Sequence, residues 1–267
     1  MINQEAHVLF LMLLMTVFTP QSGIQGRWGL QRMVSPPEAQ GLRALTPERI
    51  RFSLRPDDDS HMDNSYAASE IAARFRGLSV EQLNSSMRTM ARFEVTQEAG
   101  TFVCDGYVEN GRGEGTYVFH SDPNFKSQMQ SLGYRNISER QVAALALLQF
   151  TSQYVRDIRA AGIATPPLDE LIGMWAVGVT VDYLRDMQRV GLMPTANDLI
   201  GMHVQNITPE FARDVRQIYP HASINDLIGM RVQGVTIDFV KQVQQTDPGA
   251  SINDLIAMRV LGSRRGR

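Results

Sequence analysis

The chain has 267 residues, 43% of them hydrophobic and 20% charged, with a formal net charge of −2 at pH 7. That composition suits a folded protein with a core of its own and excludes a disordered chain; the near-neutral charge offers no general attraction to phosphate backbones, so nucleic acid is not an expected partner. Cys104 is the single cysteine, which excludes an intramolecular disulfide and a cysteine-built metal cage.

Residues 1–26 open with an apolar run from Val8 to Phe18 that holds no charged residue. A run of this length suits the core of a signal peptide, whereas a membrane-spanning helix needs roughly 17–25 apolar residues. Pro20, Ser22 and Gly23 follow as a cleavage region would, although Glu5 stands where a leader usually carries Lys or Arg. The segment therefore reads as a signal peptide, with a buried or interfacial N-terminal helix as the other reading. Export to a secreted or periplasmic location is expected, with no stable membrane span.

Between residues 27 and 133 the texture is alternation and turns. "RIRFSLRP" places Ile50, Phe52 and Leu54 on one face, and "RFEVTQ" does the same with Phe93 and Val95. "AGTFVCDGYVENGRGEGTYVFHSD" reads as two strands joined by a Gly-rich turn. The expectation is a small antiparallel β-sheet domain with one wet face. "SPPEAQG" and "RPDDDSHMDNS" read as loops; Asp57, Asp58 and Asp59 in the second form an acidic loop, either solvated or cation-binding. "GRGEG" is followed by "TYVF", which favours a hairpin turn over a phosphate loop opening a helix. The histidines His7, His61, His120, His203 and His221 fall in no HExxH or paired helical spacing, no G-x-S-x-G occurs, and Cys104 in mid-strand reads as a small buried hydrophobe. No metal or cofactor site is expected.

From residue 134 to 267 the chain repeats itself. Thr151, Thr180, Thr208 and Thr236 head one set of segments, with steps of 29, 28 and 28; Ser138, Pro167, Thr195, Ser223 and Ser251 head a second set, with steps of 29, 28, 28 and 28. A fixed period of this length is the signature of stacked repeats. In the first set an aromatic ring stands three residues after each Thr (Tyr154, Tyr183, Phe211, Phe239), and apolar residues at offsets four and seven complete a helical stripe behind a Thr N-cap. In the second, Ser138/Gln141, Thr195/Asp198, Ser223/Asp226 and Ser251/Asp254 are capping-box pairs. Leu, Ile, a small residue (Gly173, Gly201, Gly229, Ala257) and Met follow. The recurrent mid-helix glycine predicts a closely packed neighbouring backbone. Gly178, Asn206, Gly234 and Gly262 are read as helix stops, with Gln149 out of pattern. The segment is thus expected to be a short α-solenoid of 28-residue helix pairs, which with the sheet gives an α+β chain.

Two rows would run along such a stack. Arg156, Arg185, Arg213 and Lys241 share an offset and read as a solvated, mixed-charge face. Trp175, His203, Arg231 and Arg259 share another, on a frame of constant neighbours; this row is either a partner surface or, for Trp175, a residue buried against the preceding unit. The last helix keeps Leu261 where earlier copies have Gln205 and Gln233, so this end is expected to dock, with a second copy of the chain as one partner.

The run "AGTFVCDGYVENGRGEGTYVF", then "DPNF" and "LGY", then units of the form "DLIGMRVQGVT-x-x-F" resembles a family of bacterial exported helical-repeat proteins. Similar repeats are appended to membrane metallopeptidases of the beta-lactam-sensor type. The resemblance covers roughly Ala99 to Gly262 and implies an envelope or secreted accessory module; the HExxH site of those peptidases is absent, so their catalysis transfers to no residue here. The leading expectation is a non-catalytic exported module for protein–protein or cell-envelope contacts. The alternative is a hydrolase using Asp105, Glu114 or His120 in a cleft between the halves, which no motif supports.

Overall fold

The computed structural model describes residues 23–33, 48–57 and 61–264; the Val8–Phe18 run, His7, the 35–41 loop, Asp58 and Asp59 lie outside these. Among the described residues the fold is mixed α and β, with seven antiparallel strands in one curled sheet and twelve helices, divided into two compact units. Residues 136–150 are compact with the sheet and residues 129–135 with the later helices, so the chain passes between the units three times, at 128/129, 135/136 and 150/151, and not once at the expected 133/134.

In the first unit the elements run β1 (Ile24–Met33), β2 (Arg49–Pro56), β3 (Met62–Ala67), α1 (Ile71–Arg74), β4 (Phe75–Arg76), α2 (Val80–Asn84), β5 (Thr89–Gln97), β6 (Gly100–Glu109) and β7 (Arg112–Ser121). The spatial order is β3-β2-β1-β7-β6-β5-β4. Alternation puts Trp28, Leu30, Phe52, Leu54, Phe93, Val95, Phe102, Cys104, Tyr117 and Phe119 on the inner face, all buried. Their rings meet edge to face: Trp28 on Phe93 at 5.0 Å, Phe52 on Phe75 at 5.4 Å, and Tyr66 on Phe75 at 5.2 Å. The last contact joins the rings of the two edge strands and closes the curl over its core.

The β6–β7 turn is only Asn110–Gly111, both left-handed at φ 52° and 75°, which is the two-residue hairpin geometry that matches strand twist. The other glycines of "GRGEG" lie inside β7. A Cβ at Gly115 would stand 2.0 Å from the Asp105 carbonyl and 2.7 Å from the Trp28 indole nitrogen; one at Gly113 would meet that ring at 2.8 Å. These glycines exist so that β7 can pass close to β6 with Trp28 lying across it, its indole N–H donating to the Asp105 carbonyl at 3.1 Å. Burial, reinforced by Asp105, pushes the Cys104 thiol far up from its usual range, as a core residue requires.

Two strands differ from the sequence expectation. β1 begins at Ile24, inside the 1–26 segment, and Gly26 and Gly29 obscure its alternation. Met62–Ser65, read as loop, belong to β3, an edge strand with a single buried residue, Tyr66.

Helices α3 (Pro123–Ser131) and α4 (Glu139–Leu147) follow. Asp122 caps α3, its Oδ1 accepting from the N–H groups of Asn124 at 2.7 Å and Phe125 at 3.1 Å. Asp122, Phe125 and Met129 each precede Thr151, Tyr154 and Ile158 by one 29-residue step, so α3 carries the cap, ring and apolar spacing of the Thr-led segments with Asp in place of Thr. α4 packs against β1, β3, β5, β6 and β7, burying Val142, Ala143, Leu145, Ala146 and Leu147, and the Asn64 amide donates to the Leu147 carbonyl at 2.8 Å. Gln149 has φ 56°, the same left-handed stop as Gly178, Asn206 and Gly234. Its backbone is therefore in pattern although its side chain is not.

The second unit holds first helices α5 (Ser152–Ala160), α7 (Val181–Arg189), α9 (Pro209–Ile218) and α11 (Ile237–Thr246), and second helices α6 (Leu168–Ala176), α8 (Ala196–Val204), α10 (Ile224–Val232) and α12 (Ile252–Arg264). Each predicted Thr cap accepts from the N–H of the aromatic residue three positions on, and the boxes at Thr195, Ser223 and Ser251 are formed in both directions. First helices pack on first helices and second on second, α5–α7–α9–α11 and α6–α8–α10–α12. The core between them is aliphatic, with Met187, Met202, Leu227, Met230, Val240 and Leu255 at its centre.

The mid-helix glycines face a side chain and not a backbone. A Cβ at Gly173, Gly201 or Gly229 would meet Cδ1 of Ile200, Ile228 or Ile256 at 2.9, 3.3 and 3.4 Å, so each second helix seats its isoleucine in the glycine notch of the one before. The last copy has Ala257 at the notch position. Gly262 does not stop its helix: α12 continues through it to Arg264.

Candidate functional site

The row predicted as a partner surface has an internal task. Each member lies against the aromatic residue of the first helix in its own pair. Trp175 meets Tyr154 edge-on at 4.9 Å and His203 meets Tyr183 at 5.2 Å; the guanidinium groups of Arg231 and Arg259 sit over Phe211 at 5.0 Å and Phe239 at 5.5 Å. Three of the four also reach the C-terminus of the preceding second helix. The Arg231 guanidinium donates to the Asn206 carbonyl at 3.1 Å, Arg259 donates to the Gly234 carbonyl at 3.2 Å, and the His203 ring lies beside Gly178. Cations there complement the negative end of the helix dipole and satisfy carbonyls that no helical N–H reaches. The aromatic partners act across pairs as well, the Tyr154 hydroxyl donating to Val179 O and that of Tyr183 to Ile207 O, both at 2.8 Å. Burial raises both hydroxyls above the ordinary tyrosine range.

On the same unit, Arg156, Arg185, Arg213 and Lys241 are exposed, as a solvated ladder should be. Leu261 is 58% and Met258 40% exposed on α12, whereas Ile252 and Ile256 are half-buried.

A different surface emerges on the outer face of the sheet. Strand register sets Arg55 beside Arg27, Arg27 beside Thr116, and Thr116 beside Asp105 in one row. The next row is Ser53, Gly29, Glu114 and Tyr107, and the third is Arg51, Gln31, Arg112 and Glu109. Gly29 leaves a gap in the middle row, where a Cβ would come within 2.8 Å of Ser53 Oγ. The rows line shallow depressions of about 590 Å³ and 790 Å³. At their rim the Arg88 guanidinium covers the ring of Tyr107 at 4.5 Å, while Tyr107 stays 44% exposed. Arg51 pairs with Asp63 at 3.2 Å and Arg92 with Asp105 at 3.7 Å. Arg27, Arg55 and Arg112 have no ion-pair partner among the described residues.

Arg27 opposite Arg55 is the anomaly. Directly opposed like charges on one sheet face destabilise the pairing, their Cβ atoms standing about 4.5–5.5 Å apart. Sequence reading missed this surface because it depends on which strands are neighbours. The three groups named for a hydrolase all belong to the sheet unit. Asp105 and Glu114 are diagonal neighbours on the outer face, but His120 is paired with Thr101, two rows further along β7. Among the described residues no cluster of three His, Cys, Asp or Glu could hold a metal ion, and no helix is long and apolar enough to cross a membrane.

Comparison with family models, with curated proteins and with solved structures finds no match to this chain.

Proposed function

We propose that this chain is a non-catalytic, exported interaction module of the cell envelope, in which the sheet unit carries a binding face and the second unit is an α-solenoid of 28-residue helix pairs. The solenoid reading is supported by contacts that recur at the repeat period: Thr caps, isoleucines in glycine notches, and row residues that hold the C-terminus of the preceding second helix. The Val8–Phe18 run and the resemblance to exported repeat proteins support export.

The observation that carries the interaction reading is the outer sheet face, where Arg27 and Arg55 stand opposite each other beside a glycine gap and an exposed Tyr107. Arginine and tyrosine are the residue types enriched at binding hot spots. The titratable groups of this face lie in cross-strand rows, and Asp105 is engaged by Arg92, an arrangement suited to complementarity. Leu261 and Met258 offer a smaller apolar contact, for which a second copy of the chain is the proposed occupant.

Capture from envelope extract tests the reading, with three baits: wild type, Arg27→Gln with Arg55→Gln, and Trp175→Ala with Arg231→Ala. Partners lost only by the sheet variant support the assignment. Partners lost only by the helical variant would move the binding face to the row, and identical recovery by all three would remove both. Fractionation of the native protein, with N-terminal sequencing of the mature chain, tests export. A strictly monomeric protein at high concentration, with solubility unaltered by Leu261→Lys, would discard the second-copy contact.

A further inference from the structure

We infer that the outer sheet face binds an extended, acidic segment of a partner protein, with carboxylates seated on Arg27/Arg55 and on Arg112 and a hydrogen-bond donor or lysine between them over Glu114. This rests on the interaction-module reading and names the chemistry of the partner.

The register supplies the pattern. Moving along β1 and β7, successive outward rows are two residues apart, roughly 7 Å. The first row presents two arginines side by side, a fork-shaped donor set suited to a carboxylate. The second presents Glu114 beside the Gly29 gap, with room for a partner side chain to descend. The third presents Arg112. An extended chain lying along these strands would meet plus, minus, plus at that spacing, so its own residues should read acid, donor, acid at every second position. Tyr107 and Arg88 give an apolar and cationic wall at one side.

The alternating sign decides between partner classes. A polyphosphate or nucleic-acid strand carries one sign throughout and would meet Glu114, with Glu109 and Asp105 in the flanking rows, at close range. A polypeptide can alternate. A partner carboxylate would also neutralise the Arg27–Arg55 repulsion that the unliganded sheet tolerates, so the binding and the folding consequences of these residues have opposite signs.

The test is fluorescence anisotropy on the full chain with a synthetic peptide of about ten residues, long enough at roughly 3.3 Å per residue to cross the three rows. The peptide repeats Glu-Ser-Lys-Ser, so that Glu and Lys alternate at every second position; a same-composition peptide with the acids adjacent and inorganic polyphosphate are the comparison probes. We expect the patterned peptide to bind in a salt-sensitive manner, and Arg27→Gln with Arg55→Gln to weaken it roughly tenfold or more while Tm holds or rises. A purely structural role would lower Tm instead. Glu114→Lys, a surface change, is expected to weaken the patterned peptide and strengthen polyphosphate. The inference is overturned if both peptides bind equally, if the double variant binds as wild type does, or if polyphosphate alone shows the arginine dependence. Peptide failure alongside arginine-dependent capture from envelope extract would sink the acidic-segment assignment and leave the interaction reading standing.

Discussion

Arg231 distinguishes a row that holds the repeats together from a row that merely decorates them. In Arg231→Ala the guanidinium loses its place over Phe211 at 5.0 Å, a partly exposed cation–π contact of about 0.5–1 kcal/mol. It also loses the 3.1 Å bond to the Asn206 carbonyl, where a cation at a helix C-terminus contributes a further ~0.5–1 kcal/mol. The second bond, to Gln205 O at 3.4 Å, is at the limit of useful length and adds little. The expected cost is therefore about 1–2 kcal/mol. Arg213→Ala, on the exposed ladder one helix earlier, should stay within about 0.5 kcal/mol of wild type. Arg231→Lys keeps the charge but not the planar fork, and should fall between them. Urea unfolding followed by far-ultraviolet circular dichroism reads the helices, and in a Trp28→Phe background the fluorescence of Trp175 reports this unit alone. A double-mutant cycle with Phe211→Leu isolates the stacking, for which about 0.5–1 kcal/mol of coupling is expected. Equal costs for Arg231→Ala and Arg213→Ala, or a coupling of zero, would refute the assignment of the row as a link between pairs.

Three further outcomes follow from the geometry. Replacing a helical glycine by alanine gains up to about 1 kcal/mol where space allows, so urea midpoints should rise more for Gly229→Ala than for Gly173→Ala, whose isoleucine neighbour is 0.5 Å closer (3.4 against 2.9 Å); the reverse order would contradict the notch. Gly115→Ala forces a methyl to 2.0 Å from the Asp105 carbonyl and should cost about 3 kcal/mol or more in sheet stability, measured by the thermal melt of the Trp28 signal; a neutral outcome would contradict the close approach of β6 and β7. Tyr66 is fully buried and burial raises its hydroxyl from about 10 to about 12. A group that holds its proton more tightly when folded contributes stability that is whole below the unfolded value and is lost as pH rises through the folded one, here about 3 kcal/mol between pH 10 and 12. Tyr66→Phe should flatten that alkaline limb in urea titrations, and an unchanged slope would show the hydroxyl to be solvated.

What could be read from the sequence was local. Thr and Ser caps, the aromatic residue three positions on, and the Asn206 stop need only a few residues in register, and each is found where the spacing put it. Helix α3 escaped because Asp122 takes the place of Thr, even though Asp122-Pro123-Asn124-Phe125 parallels Thr208-Pro209-Glu210-Phe211. Long-range pairing was not legible. Glycine at 173 announced a close neighbour, but only the stacking phase shows that it is the tip of Ile200. The Trp175 row reads in the sequence as a partner surface or, at Trp175, as burial against the preceding unit; its packing on the aromatic residue of its own pair is hidden because that partner lies some twenty residues away on another helix. The Arg27–Arg55 face could not be seen at all, since β1 was hidden by its glycines and the strand order β2-β1-β7 is a tertiary fact.

We propose that the second unit is a linear stack whose pairs are interchangeable. Deleting residues 208–235 removes one pair, α9 and α10, and joins Ile207 to Thr236 in the register that Val235 normally provides. Circular dichroism with thermal melting of that variant is the most direct measurement. A stack predicts a cooperatively melting protein whose helical signal falls in proportion to the residues removed; loss of the helical signal beyond that share, or of cooperative melting, would contradict it.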